Sequence, residues 1–454
     1  MRDLTKSALS LSWAMPLYGT QQLLNLLAPA GERQKFTGGL DAVTGAMAGQ
    51  LGDNNWLKQL YQLGQCLQNA AVTMGPGLLS PQLFDPMIWL NASVDAAQRS
   101  AVTARLIAEG NGGLAWEEIR FKGEVFCLVL DVAKLIGVPA TLPFPLYELL
   151  ERSYALGPFR ALWAVEGLGH DYGDSFWNHG MTPHHILNDE RTSALPDKSL
   201  TMLHAGIGLS IAQHLLSDAT PQTPFAQVCD TVRRIVELDV DNSRPGYLGC
   251  AVESLGLVTR TFHPELTQTI DRAVQEVSPE SRGYFWHGAG RAIYFGPINF
   301  LPGSDGLLFE QVRQEAPDEQ ARLSAVAGAA WGYTLVSQRD PSILAELLIS
   351  PYGDELARDG AFANGVASST VMRFDTTPHA PFLEPFRNYQ PDPSNRRLVE
   401  LWDRLVRGPF TAALDVYYPM IKASGRLGEV FEYRDLPAFV AQLQREGQGG
   451  RGAA

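Results

Sequence analysis

Apolar residues recur at three- and four-residue intervals through most of the chain, as in "LSAVAGAAWGYTLVSQ" (323–338) and "LVELWDRLVRGPFTAALDVYYPMI" (398–421). That spacing turns one face of each helix toward a core. Alternating patterns bounded by Asn-Gly or Asp-Gly turns are scarce. The predicted class is therefore all-α: a repeat-like helical array, an α/α solenoid or toroid, with N-terminal amphipathic helices. The stretch "EEIRFKGEVFCLVLDV" (117–132) is the one that reads as a strand.

Prolines punctuate the pattern, because a ring without an N–H cannot continue a helix. Pro139, Pro143 and Pro145 mark a boundary, and five prolines in "TTPHAPFLEPFRNYQPDPSN" (376–395) predict an extended linker. The expected organisation is an N-terminal helical region (1–135), a central repeat-like helical domain (150–375) and the Pro-rich linker (376–395). C-terminal helices (396–445) and a Gly-rich disordered tail (446–454) complete it.

Within the central part, clusters of small residues recur. They are "EGLGHDYG" from Glu166, "HAGIGLSIA" from His204, "ESLGLVTR" from Glu253 and "HGAGRAIYF" from His287, with looser copies from Ala327 and Asn364. Gly167, Gly206, Ser254, Gly288, Gly328 and Gly365 mark a period of roughly forty residues, the size of one helix-turn-helix repeat. A mid-helix glycine costs about 1 kcal/mol relative to alanine. It is tolerated where a neighbouring backbone must come close, so these segments are expected to be inner helices packed side by side.

Four copies are led by an ionisable residue: Glu166, His204, Glu253 and His287, of which His204 fits only with a one-residue slip. Glu166 is followed one turn later by His170, and His287 by Arg291, on shared helix faces. If the copies superpose, these groups meet around one interior. Glu166, His204, Glu253 and His287 are then the candidate catalytic set. Arg291 and His170, with the aromatic Tyr284, Trp286 and Tyr294, are the candidate ligand-binding set. Carboxylates and imidazoles together suit a transition metal or acid–base work. The spacing matches no defined ligand motif, so metal and cofactor stay open.

Bulk properties exclude more than they assign. A formal net charge of −13 without a basic cluster argues against nucleic acid, whose phosphates demand grouped Lys and Arg. Cys66, Cys127, Cys229 and Cys250 are scattered without a Cys-x-x-Cys pair, which predicts reduced thiols in a cytoplasmic protein. Residues 7–31 carry no charge, yet Pro16, Gly19 and several amides interrupt the run, which reads as amphipathic helices rather than a signal or a span. Only 12 of the 85 charged side chains fall in the first 100 residues. Such a charge-poor surface is expected to be covered by the main body, by a second copy, or by a membrane surface or lipid-like ligand. "DVDNSRPGYLGC" fails as a calcium loop at Arg244 and Cys250, and no Walker lysine, nucleophile elbow or dinucleotide fingerprint is present.

The segments "VEGLG", "MLHAGIGLSIA" and "YFWHGAGRAIYF" together resemble a family of unknown function, the enediyne-biosynthesis accessory proteins. The likeness covers roughly residues 155–300, with a Glu-Gly cluster, a His-led glycine helix and an aromatic-Gly-aromatic segment in the same order. It implies an association with polyketide- or lipid-like metabolites and carries over no catalytic residue. The leading expectation is an accessory protein that binds a hydrophobic metabolite in an interior pocket. The alternatives are an isomerase, cyclase or oxygenase on a long apolar substrate, and a structural scaffold.

Overall fold

The computed structural model describes residues 112–139, 142–189, 192–296, 299 and 305–449. The expected N-terminal amphipathic helices and their covering partner lie outside them. Packing divides the chain into a unit of residues 124–300 and 305–454, and a unit of residues 1–123 and 301–304.

The fold is all-α, with no strand among the described residues. The stretch expected as a strand belongs to helix α1, Gly112–Ile136. Its buried positions include Ile119, Lys122, Val125, Leu128, Val132 and Ile136, three or four apart, while Arg120 is exposed and Glu124 half-buried. The apparent alternation mixes two cases: Arg120 and Glu124 lie off the buried face, whereas Lys122 lies on it, paired with buried Glu118 at 3.0 Å. After α2 (Leu146–Ala155) come α3 (Pro158–Asn178), α4 (Asp197–Leu216), α5 (Phe225–Asn242), α6 (Leu248–Phe262), α7 (Thr267–Val277) and α8 (Arg282–Tyr294). Then follow α9 (Asp305–Glu315), α10 (Glu319–Ser337), α11 (Ser342–Ile349) and α12 (Ala361–Thr376).

Helices α3, α4, α6, α8, α10 and α12 pack one on the next in that order, and α5, α7, α9 and α11 lie outside them. The packing rule is written in the small residues. Each marker position rests on the carbonyl just before the preceding marker: Gly206 on Glu166 O, Gly288 on Glu253 O, Gly328 on His287 O and Gly365 on Ala327 O. Ser254 obeys the same rule through a hydrogen bond, its hydroxyl donating to Ala205 O at 2.8 Å. The small residue two positions further on serves the next helix. Gly169 rests on Leu203 O, Gly208 on Ala251 O, Gly256 on Phe285 O and Gly290 on Ala325 O. Two residues are about 200° of helical rotation, so Gly-x-Gly offers one bare face to each neighbour.

The series returns to its start. The Arg373 guanidinium of α12 donates to Pro158 O at 2.9 Å on α3 and, through Nε, to Gln338 Oε1 at 3.0 Å. On the same helix Asp375 accepts from Thr201 Oγ1 of α4 at 2.7 Å and from Lys422 Nζ at 2.8 Å.

The Pro-rich boundary differs from expectation. The Pro-rich segment is not wholly extended: Leu383–Asn388 forms a short helix whose Phe386 is buried against Trp402 and Phe410. Helix α4 begins at Asp197 behind Pro196 without a side-chain cap, and Ser199 pairs instead with the Tyr154 hydroxyl at 2.9 Å.

Residues 396–423 are helical with two π-turns, Asp403–Arg407 and Ala413–Tyr417, each closed one residue before a proline (Pro409 and Pro419). The missing N–H and the bulk of each ring break the regular ladder there and widen the turn by one residue. A 3₁₀ strap, Leu427–Phe431, and helix α13, Leu436–Gly449, follow, so 446–449 are helical rather than tail. No helix among the described residues is long and apolar enough to cross a membrane.

Candidate functional site

Four of the sequence-predicted residues meet. Arg291 of α8 donates from one guanidinium nitrogen to Glu253 Oε2 of α6 and from the other to Glu166 Oε1 of α3, both at 2.9 Å. One turn before it, His287 places Nδ1 3.0 Å from Glu253 Oε1. Their side chains are 0 to 4% exposed. Gly288 lets α8 lie directly on α6, which brings His287 and Arg291 onto Glu253. Three helices distant in sequence thus converge on one carboxylate–guanidinium–carboxylate–imidazole chain.

Burial works against the Arg291 charge, but Glu253 and Glu166 outweigh it and hold its pKa above the ordinary value. Burial lowers the His287 pKa; Glu253 opposes this and Arg291 adds to it. A neutral imidazole facing a carboxylate must put its proton on Nδ1, which donates to Glu253. Nε2 is then a bare lone pair, and it finds no hydrogen-bond partner among the described residues. The same holds for the indole N–H groups of Trp163 and Trp331 and for Arg291 Nε. Buried polar atoms are nearly always satisfied, so an unpartnered imidazole nitrogen at this depth needs a reason.

Aromatic rings fill the space around those atoms. Trp331 of α10 lies edge-on to His287 (6.1 Å between centroids) and to Trp163 (6.2 Å), and the Arg291 guanidinium sits 4.4 Å above its ring. Phe431 of the strap meets His287 at 6.3 Å and Trp331 at 6.0 Å. Phe295 closes on Trp163 at 5.8 Å. The expected polar anchors therefore touch one another inside an aromatic packing rather than lining an open pocket. Two surface hollows among the described residues lie elsewhere, one lined by Asp403, Arg407 and Asp415 among others, one by Asp354, Arg397 and Arg404 among others.

The remaining predicted residues stand apart. His204 is buried, but Nδ1 donates to Leu200 O at 2.6 Å and Nε2 accepts from the Arg244 N–H at 3.0 Å. Burial pushes its pKa down to about 4, with the Arg244 charge adding to this, and its ring stacks on Tyr247. Both nitrogens are committed to holding the chain. His170 is partly exposed, bonded through Nε2 to Gln213 Oε1 at 2.8 Å and 3.7 Å from Asp174. Tyr284 lies beside Glu432, and burial raises the pKa of its hydroxyl. Trp286 turns to the outer layer, its indole donating to Asp271 at 2.7 Å. Tyr294 packs on Phe295 and Tyr333.

No protein-family model, no curated protein and no solved structure matches the chain. Among the described residues no group of three or more His, Cys, Asp or Glu side chains is placed to hold a metal ion. Cys229 and Cys250 are free thiols. The aromatic wall was missed by sequence reasoning, although signals existed for two of its members. Trp163 precedes Glu166 by one turn on the same face, and Trp331 follows the Gly328 marker by one turn. Phe431 carries no such signal.

Proposed function

We propose that this chain binds a small, largely apolar metabolite in its helical interior, as an accessory to biosynthesis. The ligand's polar end would meet His287. One observation carries the reading: a fully buried imidazole whose Nδ1 is fixed by Glu253 keeps an unpartnered Nε2 lone pair, and the Trp331 ring packed edge-on to it has an unpartnered indole N–H. A ligand with a hydroxyl or N–H next to a carbonyl would satisfy both kinds of atom, and its carbon skeleton would suit the aromatic wall. The resemblance of the glycine motifs to enediyne-biosynthesis accessory proteins points to a polyketide- or lipid-like compound.

The test is native mass spectrometry of the full-length protein as purified, followed by organic extraction. Wild type should retain an organic small molecule that His287→Phe, of similar bulk, loses while staying folded. Ligand-free wild type, or equal retention by both, would sink the reading. A second reading has its own support. A carboxylate behind an imidazole, with the distal nitrogen free, is the arrangement of a general base. Conversion of the extracted compound to a new mass on return to fresh protein, abolished in His287→Phe, would favour an acid–base enzyme.

A further inference from the structure

The residue that closes the series of inner helices carries an unbalanced charge. Arg373 is fully buried, and its guanidinium meets only neutral oxygens among the described residues. Nε donates to Gln338 Oε1 at 3.0 Å and Nη1 to Pro158 O at 2.9 Å, while Nη2 comes no nearer than 3.5 Å to Leu335 O. That last distance is at the limit of a hydrogen bond. The neighbouring charges are already matched: Arg339 is paired with Glu124 at 2.7 Å, and Asp375 of the same helix with Lys422 at 2.8 Å. Burial, with the Arg339 charge adding to it, pushes the Arg373 pKa down to about 9.

The unpartnered groups beside this cation are donors. Gln338 turns Oε1 to Arg373, so its Nε2 points elsewhere and finds no acceptor among the described residues. The hydroxyls of Thr334, Ser337 and Thr376 are likewise buried without a partner there. Packing places them on one seam. Ala327, Ala330 and Trp331 of α10 meet Gly365 of α12, and Thr334, Ser337 and Gln338 continue that stripe at three- and four-residue steps. Thr376 follows Gly365 by eleven residues, about three turns, and so continues the facing stripe of α12. The Arg373–Gln338 bond fixes the level at which the two stripes meet.

Charge and donors together define what satisfies the seam. A guanidinium and an amide nitrogen can only donate. Water brings no charge and leaves the buried cation uncompensated. Carbonyl dipoles offset that charge in part but do nothing for the donors beside it. An anion accepts from all of them at once. One surplus positive charge calls for one negative charge, and the seam is narrow, since a methyl at Gly365 would already overlap Ala327 O.

We propose that the α10–α12 seam binds a compact monovalent anion of chloride's size, held by Arg373, Gln338 Nε2 and the hydroxyls of Thr334, Ser337 and Thr376. The anion completes the clasp that fastens α12 to α3. This site is separate from the metabolite reading and does not rest on it.

Urea unfolding of the full-length protein at pH 7, with chloride replacing bulky gluconate at constant ionic strength, is the test. The wild-type midpoint should rise with chloride and level off, as binding to the folded state alone requires. Sulfate stabilises by exclusion from the protein surface and should give no plateau. Gln338→Glu sets a carboxylate against Arg373 in place of the ion, so its chloride response should disappear. Thr376→Val keeps the shape and loses one donor, so its half-saturating chloride concentration should rise about ten-fold. A merely structural hydroxyl would lower the midpoint and leave that concentration unmoved. A wild-type midpoint indifferent to chloride, a rise without a plateau, or an undiminished response in Gln338→Glu would overturn the proposal. If Gln338→Glu does not fold, an unmoved half-saturation point in Thr376→Val overturns it instead.

Discussion

Arg291 spends its charge on two carboxylates at once, and with His287 neutral the buried chain holds two acids against one base. Breaking such a network by removing one member leaves an uncompensated charge out of water, at a cost of about 3–5 kcal/mol, whereas replacing all members by apolar groups is often neutral. Arg291→Met alone should therefore lower the urea midpoint strongly at pH 7. Glu166→Leu, Glu253→Leu, His287→Leu and Arg291→Met together should recover most of the loss. Equal losses in both variants would mean that the charges are not coupled.

His204 acts on stability through pH. Its folded pKa, about 4, lies below the ordinary 6.5, so folding favours the neutral ring. Its contribution, about 3 kcal/mol, is present above pH 6.5 and is lost as pH falls from there to about 4. His287 is shifted in the same sense, so His204→Gln should flatten only part of the decline measured by urea unfolding between pH 7.5 and 4. An unchanged slope would refute the assignment.

The sequence made Glu166, Glu253, His287 and Arg291 legible because each keeps a fixed offset from its marker. His204 stands two residues before its marker instead of one. That single step turns a side chain by about 100°, which carries His204 away from the centre to Arg244 and Tyr247.

At the scale of the element, Gly-x-Gly explains why this array keeps so many helical glycines. Gly→Ala inside a helix ordinarily raises stability by up to about 1 kcal/mol. At Gly288 and Gly290 the added methyl would overlap Glu253 O and Ala325 O, backbone atoms that cannot turn aside. Either substitution should reverse the usual sign and cost about 1–3 kcal/mol, in the manner of an overpacked core, read as a fall in the thermal midpoint. A gain at either position would show that the close approach is not what the glycine is for. The inner helices were legible from this rhythm. Helix α1 was not, because charged residues both off its buried face (Arg120, Glu124) and on it (Lys122) imitate alternation over a short window. The π-turns were hidden too, since nothing in the spacing tells whether a helix skips a proline or ends at it.

For the whole molecule, the consequential feature is that the series of inner helices is closed. An open solenoid unfolds from its ends, because each repeat touches only its neighbours. Here α12 reaches back to α3 through Arg373 and to α4 through Asp375, so the last repeat cannot fray without exposing the first. Arg373 is buried with no carboxylate in contact; burial, with Arg339 nearby, lowers its pKa, and carbonyls and an amide alone hold it. That arrangement is costly unless closure needs it. Arg373→Leu leaves an apolar side chain at this position but removes the polar bridge and the guanidinium's placement over the Phe159 and Phe382 rings. Wild type should unfold in urea with coincident transitions by tryptophan fluorescence and far-ultraviolet dichroism, as one cooperative unit does. In Arg373→Leu the two should separate. Trp163 on α3 and Trp331 on α10 would report loosening of the centre before the bulk of the helix is lost. If the variant's transitions stay superimposed and merely shift, closure by α12 contributes stability but not cooperativity, and the protein behaves as a solenoid whose ends happen to touch.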